Sequence, residues 1–255
     1  MAIGQAMQDA AGEIELRDEE GGIRSGFLHA VEAALEAHDA AKVRELTLPL
    51  HAADLADLMR LLRPEQRTEL VGTLGEDFDA AALPELDEPV RDQVLEVMPP
   101  EQVAEALQEL DSDEAVYVIE DLGKQEQSDI LAKLPSFERA ALLRSLEYPE
   151  DSAGRIMQTD LIAVPPFWSV GQTIDYMRDA EDLPDRFYEI FVVDPGYHLI
   201  GSVALDRLLR AKRPTSIESL TSTDIHPIEV EADQEAVARE FERYNLTSAP
   251  VVDAN

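Results

Sequence analysis

YPEDSAGRIM, Tyr148 to Met157, separates two halves of the chain that differ in periodicity. Before it the pattern is helical almost throughout. After it short apolar strands alternate with helices. Pro149, Glu150, Asp151 and Ser152 are turn and cap formers in succession, so residues 148–157 read as a hinge between two rigid bodies.

On the N-terminal side, helical spacing starts near Phe27 with Val31, Ala34, Leu35 and His38. From Leu50 a repeat of 36 residues emerges. Leu50, Leu86 and Leu122 align, as do Met59, Leu95 and Leu131; Leu62, Met98 and Leu134; and Leu74, Leu110 and Leu146. Pro64 and Pro100 align with Ser136. Proline suits a first helical position, where its missing N–H is not needed. Each unit therefore reads as helix, sharp break, helix. Such a hairpin has too little apolar surface to stand alone and buries it on its neighbour, which makes a solenoid. The expected fold is an α-helical superhelix over residues 27–147, preceded by an acidic mobile tail over residues 1–26. The Leu and Met columns are its core, and Asp111, Asp113, Glu114, Glu120 and Asp121 lie on outward faces. DSDE (residues 111–114) resembles a calcium loop only in composition, and Ser112 and Asp113 read as a helix cap.

On the C-terminal side, Ala153 to Met157 reads as a short helix capped by Asp151 or Ser152. LIAV (161–164) reads as a strand, Ser169 to Ala180 as a helix, and IFVVD (190–194) and LIGSV (199–203) as strands around a Pro195-Gly196 turn. Leu205 to Arg210 is a helix. The pattern then restarts 64 residues on: Thr159-Asp160-Leu161 returns as Thr223-Asp224-Ile225, and Val164, Thr173 and Met177 as Ile228, Val237 and Phe241. PVVD (250–253) echoes FVVD (191–194). Two modules follow, residues 158–214 and 215–255. The second lacks a counterpart of the return strand and final helix, so we expect the chain to be a piece of a longer protein.

The chain carries 54 acidic against 21 basic residues, a net charge of −33. That surface repels nucleic acid and anionic lipid and concentrates cations. There is no cysteine, hence neither a disulfide framework nor a thiolate metal site. No window reaches the ~18 apolar residues of a membrane span, and the N-terminus lacks the pattern of a secretory signal. The five histidines are scattered, and neither a GxSxG elbow nor a P-loop is present. An enzyme is not expected.

The tandem of strand, helix, strand, strand, helix units ending in apolar-VVD is similar to paired cystathionine-β-synthase-type (CBS) modules. The 36-residue helical repeat, YPEDSAGRIM, IAVPPFWSVGQTIDYMR, EIFVVD and DQEAVAREFERYN together resemble the cytosolic region of MgtE-type magnesium transporters. That resemblance implies a homodimer on the cytoplasmic face of the bacterial inner membrane, below a transmembrane pore absent from this chain. It implies Mg2+, with Ca2+ or Mn2+ as substitutes, between acidic faces of the helical and CBS domains, favouring a closed state. Carried over, the ligands are Asp113 with its neighbour Glu114, Glu235, and the surroundings of Gly154 and Arg155. Tyr117 and Asn245 stand where the family has further acids. Ala204-Leu205-Asp206-Arg207 departs from the family's Ser-x-x-Asp, which weakens the expectation of ATP binding.

Carboxylates facing each other across a joint give this reading a physical basis. Two of them ~4 Å apart repel by roughly 4 kcal/mol at an effective dielectric near 20. A divalent ion between them reverses the sign. Magnesium keeps several waters and takes one or two carboxylates. A ligand that binds only one state shifts the equilibrium by its differential affinity. Two rival readings are a soluble CBS-type adenine-nucleotide sensor and a solenoid adaptor for a protein partner. The first needs a ribose-binding acid, and the second an apolar or basic groove.

Overall fold

The computed structural model describes residues 16–180, 183–184 and 186–253. Residues 1–15 of the expected tail, part of the insertion after Ala180, and the last two residues lie outside the described residues. The chain divides into two compact units. One is the chain to Leu110 together with Leu122–Lys133; the other is Asp111–Asp121 with the chain from Leu134 onward.

In the first unit, residues 16–24, expected as tail, form a turn closed by an Arg17–Ile23 bridge. Arg17 pairs there with Asp54 and Asp57. Helices α1 (Ser25–Glu36), α2 (Ala40–Thr47), α3 (Ala52–Leu61) and α4 (Pro64–Leu74) follow. Two 3-10 turns, Gly75–Asp77 and Ala80–Ala82, lead into α5 (Glu88–Val97) and α6 (Pro100–Glu109). α7 (Ser112–Ile119) belongs to the second unit, α8 (Lys124–Leu131) to the first, and α9 (Ser136–Glu147) to the second. The 36-residue period is literal: α3, α5 and α8 start at 52, 88 and 124, and α4, α6 and α9 at Pro64, Pro100 and Ser136. Met59, Leu95 and Leu131 are buried, as are Leu62, Met98 and Leu134.

The repeat contains more than a hairpin. A short third element precedes each pair: α2, then the two 3-10 turns, then α7. In the middle copy Gly75 takes a positive φ of 54°, and Pro84 follows. Those residues break what is a helix in the flanking copies.

The second unit continues with α10 (Ala153–Ile156), β1 (Ala163–Val164), α11 (Val170–Asp179), β2 (Glu189–Val193), β3 (Leu199–Ala204), α12 (Leu205–Arg210) and α13 (Ile217–Leu220). Then come β4 (Ile228–Glu229), α14 (Gln234–Tyr244) and β5 (Val251–Val252). The first module is a three-stranded sheet ordered β1-β2-β3, with β1 parallel and β3 antiparallel to β2. Its core is Ile162, Val164, Val170, Ile190, Val192, Val203, Leu208 and Ile217. Ser169 caps α11 through a reciprocal pair with Gln172. The second module repeats the start of this arrangement: β4 pairs β5 in parallel, Ile228 with Val251, as Val164 pairs Val192.

The 64-residue repeat also governs how the modules interlock. α13, expected as the start of the second module, docks on the first instead, through Ile217 N–H to Trp168 O, Glu218 N–H to Pro166 O and Val170 N–H to Thr215 O. α10 precedes the first module yet docks on the second. Its bonds are the equivalents, each 64 residues displaced: Ala153 N–H to Ala232 O, Gly154 N–H to Val230 O and Gln234 N–H to Asp151 O. The stretch 148–157, expected as a hinge, thus contains a docked helix from Ala153 onward.

Candidate metal site

α7 brings Asp113 into its first turn, where the backbone N–H groups of Asp113 and Glu114 donate to the Asp113 carboxylate. Acids are favoured at this helix end. The second unit packs α7 against α9 and α10, and half-buries the Asp113 side chain. Burial is the main cause that pushes its carboxyl above the ordinary carboxylate range, and the charge of Asp111 adds to it. The two amides and the Gln158 side chain pull the other way. One oxygen, Oδ1, is buried with no hydrogen-bond partner. A native buried oxygen left so is rare and calls for an explanation.

Around it, Asp111 accepts from Gln158 Nε2 at 3.2 Å, and Ser112 Oγ accepts from Thr159 N–H at 2.7 Å. The cap expected of Ser112 is therefore a bond across 47 positions instead. Asp111 holds the N-cap position of α7 without a side-chain cap bond. Glu114 sits in the same first turn, half-buried.

Glu235 lies in the first turn of α14 with its side chain 80% exposed, 3.5 Å from Arg239 one turn on. Asp233, not Glu235, caps that helix. Asn245 ends α14 in the left-handed region, φ 51°, which asparagine tolerates better than most residues.

Gly154 and Arg155 serve the joint itself. A Cβ on Gly154 would lie 2.7–2.9 Å from three carbons of the Tyr148 ring. Arg155 is nearly buried, and its guanidinium donates to Tyr148 O at 2.6 Å and Leu146 O at 3.0 Å. It also lies 3.4 Å from Glu120. Replacing Gly154 with alanine should destabilise the second unit by about 1–3 kcal/mol, because the ring must swing aside. Urea unfolding checks this, and adding Tyr148→Leu should recover much of the loss.

The candidate donors are not gathered into one cluster. Among the described residues no group of three or more His, Asp or Glu is placed to hold a metal ion. α10 touches both α7, which carries Asp113, and α14, which carries Glu235. Gln158 carries no sequence signal, and Ser112 and Glu120, expected as a cap and an outward acid, make contacts that nothing local marks, since their partners lie 47 and 35 positions away. Asp113 Oδ1 is an unsatisfied oxygen on a hard carboxylate, and that suits a magnesium ion, which takes oxygen donors. Asp111 and the Gln158 side chain are the neighbouring oxygens that fit such an ion's surroundings.

Residues 50–151 match the family described as the MgtE intracellular N domain, and residues 153–213 match the CBS domain. The magnesium transporter MgtE of Thermus thermophilus is 31% identical over 115 residues, 45% of this chain and 26% of that protein. The magnesium transporter MgtE of Bacillus subtilis is 26% identical over 110 residues, 43% of this chain and 24% of that protein. The matched region thus spans about a quarter of the length of these relatives. Two solved structures are similar over 89% of this chain. One is the soluble part of a magnesium transporter, with TM-score 0.75, 25% identity and 90% of that chain covered. The other is the cytosolic domain of the Mg2+ channel MgtE in complex with ATP, with TM-score 0.78, 27% identity and 93% covered. Residues 50–151 thus form a domain of the MgtE intracellular N family, and it runs through α10 into a CBS domain, the order in which the two matches follow one another along the chain.

Proposed function

We propose that this chain is the magnesium-sensing, gating-regulatory part of a magnesium transporter or channel. In this reading it acts at the cytoplasmic face of a membrane as a homodimer, beside a pore-forming part. It is a binding module without catalysis. The observation that carries the reading is Asp113: a half-buried carboxylate with one unpartnered oxygen, beside Asp111, in a chain of net charge −33. Holding that charge out of water is unfavourable unless something compensates it. A divalent cation at Asp113 supplies the compensation, with Glu114, Glu235 and the backbone near Gly154 and Arg155 as further oxygen donors of the same response. Ca2+ and Mn2+ share the oxygen preference and should substitute at higher or comparable concentration. Cation binding that favours one arrangement of the acidic faces would then bias the pore towards its closed state.

Small-angle scattering with and without millimolar magnesium tests the reading. A compaction that sodium at matched ionic strength does not reproduce supports it, and an unchanged scattering profile counts against it. Calorimetry with ATP separates the nucleotide-sensor alternative. Ala204 occupies the N-cap position of α12 with no side-chain cap bond, and Asp206 follows in its first turn. A hydroxyl that would contact a ribose or phosphate is missing there, so ATP heats should be small beside those of magnesium.

A further inference from the structure

We propose that Arg155 is a resident cation of the contact between α7, α9 and α10, holding that contact together without any metal ion. Three observations carry the proposal. First, the main chain of α10 is tied to the second module by Ala153 N–H to Ala232 O and Gly154 N–H to Val230 O, so the base of the Arg155 side chain is fixed. Second, the guanidinium reaches from there to two other elements. It donates to Leu146 O and Tyr148 O, the carbonyls at the end of α9, where the helix dipole is negative. On its other side it faces Glu120 Oε2, just beyond α7, at 3.4 Å. Third, the residue is only 9% exposed, in a chain that carries 33 more negative than positive charges.

An arginine stays ionised at every accessible pH, and its planar fork can serve several oxygens at once. The oxygens around it, two carbonyls and a carboxylate, are of the classes a divalent cation takes. Here the positive charge is covalently attached and cannot be diluted away. Gly154 makes room for this arrangement, because the Tyr148 ring packs where its side chain would be. The consequence is that α7, and Asp113 with it, is held against α10 before magnesium arrives. The proposal stands apart from the cation-sensing reading: magnesium could prove irrelevant and Arg155 would still be the staple.

Hydrogen–deuterium exchange on the full chain, in magnesium-free buffer with EDTA, tests it. Wild-type α7 amides, Val116 to Ile119, should be protected. Arg155→Gln should speed their exchange by about tenfold or more, the size expected for charged hydrogen bonds. The strand amides of Ile190, Val192 and Val203 should not change. Arg155→Lys should fall between, since an ammonium keeps the charge but loses the fork. If Arg155→Gln disturbs the strand amides as well, Glu120→Gln decides: it should accelerate α7 alone, by about threefold or more. The idea is overturned if α7 exchange is unaffected by either change, or if wild-type α7 gains protection only when magnesium is added.

Discussion

Asp113→Asn should raise the magnesium concentration needed for compaction by at least about tenfold, or abolish the response. Ligand charge count tunes the affinity of oxygen sites over decades, and this substitution removes the charge while keeping the shape. Without metal the same variant should be more stable than wild type at neutral pH. The sign follows from linkage. Burial and Asp111 raise the carboxyl of Asp113 above its unfolded value. The folded state therefore binds the proton more tightly than the unfolded state. Its contribution is most favourable at low pH, declines as pH rises from the ordinary carboxylate value to the raised one, and remains unfavourable above. Asparagine removes that decline, so the stability gap between variant and wild type should close on acidification. Protons also compete with the cation for this oxygen, so wild-type magnesium affinity should weaken as the pH falls through the raised value. Chemical denaturation across pH, with and without magnesium, separates these effects. A variant with an unaltered magnesium midpoint would remove Asp113 from the site.

The largest loss of stability is expected from Gly201→Ala. Gly201 lies in β3 opposite Val192, next to the isolated antiparallel bridge that Ser202 and Ser222 form through reciprocal bonds. A Cβ there would come within 2.6 Å of Thr221 Cγ2 and closer still to the Ser222 carbonyl oxygen. Backbone cannot rotate away as a side chain can, so the Ser202–Ser222 bridge must open. A loss of about 3 kcal/mol or more is expected, measured by urea unfolding of the first module through Trp168, the only tryptophan. Gly72→Ala in α4 is the matched control. Nothing lies within 4 Å of its Cβ position, and helix propensity predicts a gain of up to about 1 kcal/mol. Equal losses at both positions would show that packing at Gly201 is not the cause.

Both repeats were legible in the amino-acid order. Pro64, Pro100 and Ser136 start helices at matching places, and Val164 and Ile228 begin matching strand pairs. Leu205–Arg210 is a helix over the residues expected. Apolar periodicity reports which face of an element is buried, and that survives from sequence to fold because burial dominates the energetics. The short elements α2 and α7 were not separated as a third member of each repeat. At eight residues apiece they hold too few turns to display a period, and packing rather than propensity maintains them.

Sequence alone determined the two architectures, their repeat lengths of 36 and 64 residues, the acidic balance and the family resemblance. These are properties of residue order and composition, and each is summed over many positions. Only the tertiary structure decided that α10 docks on the second module, that Arg155 lies sheltered between α9 and Glu120, and that one oxygen of Asp113 has no partner. Desolvation and hydrogen-bond satisfaction depend on groups tens of residues away in the chain, so no local pattern can encode them.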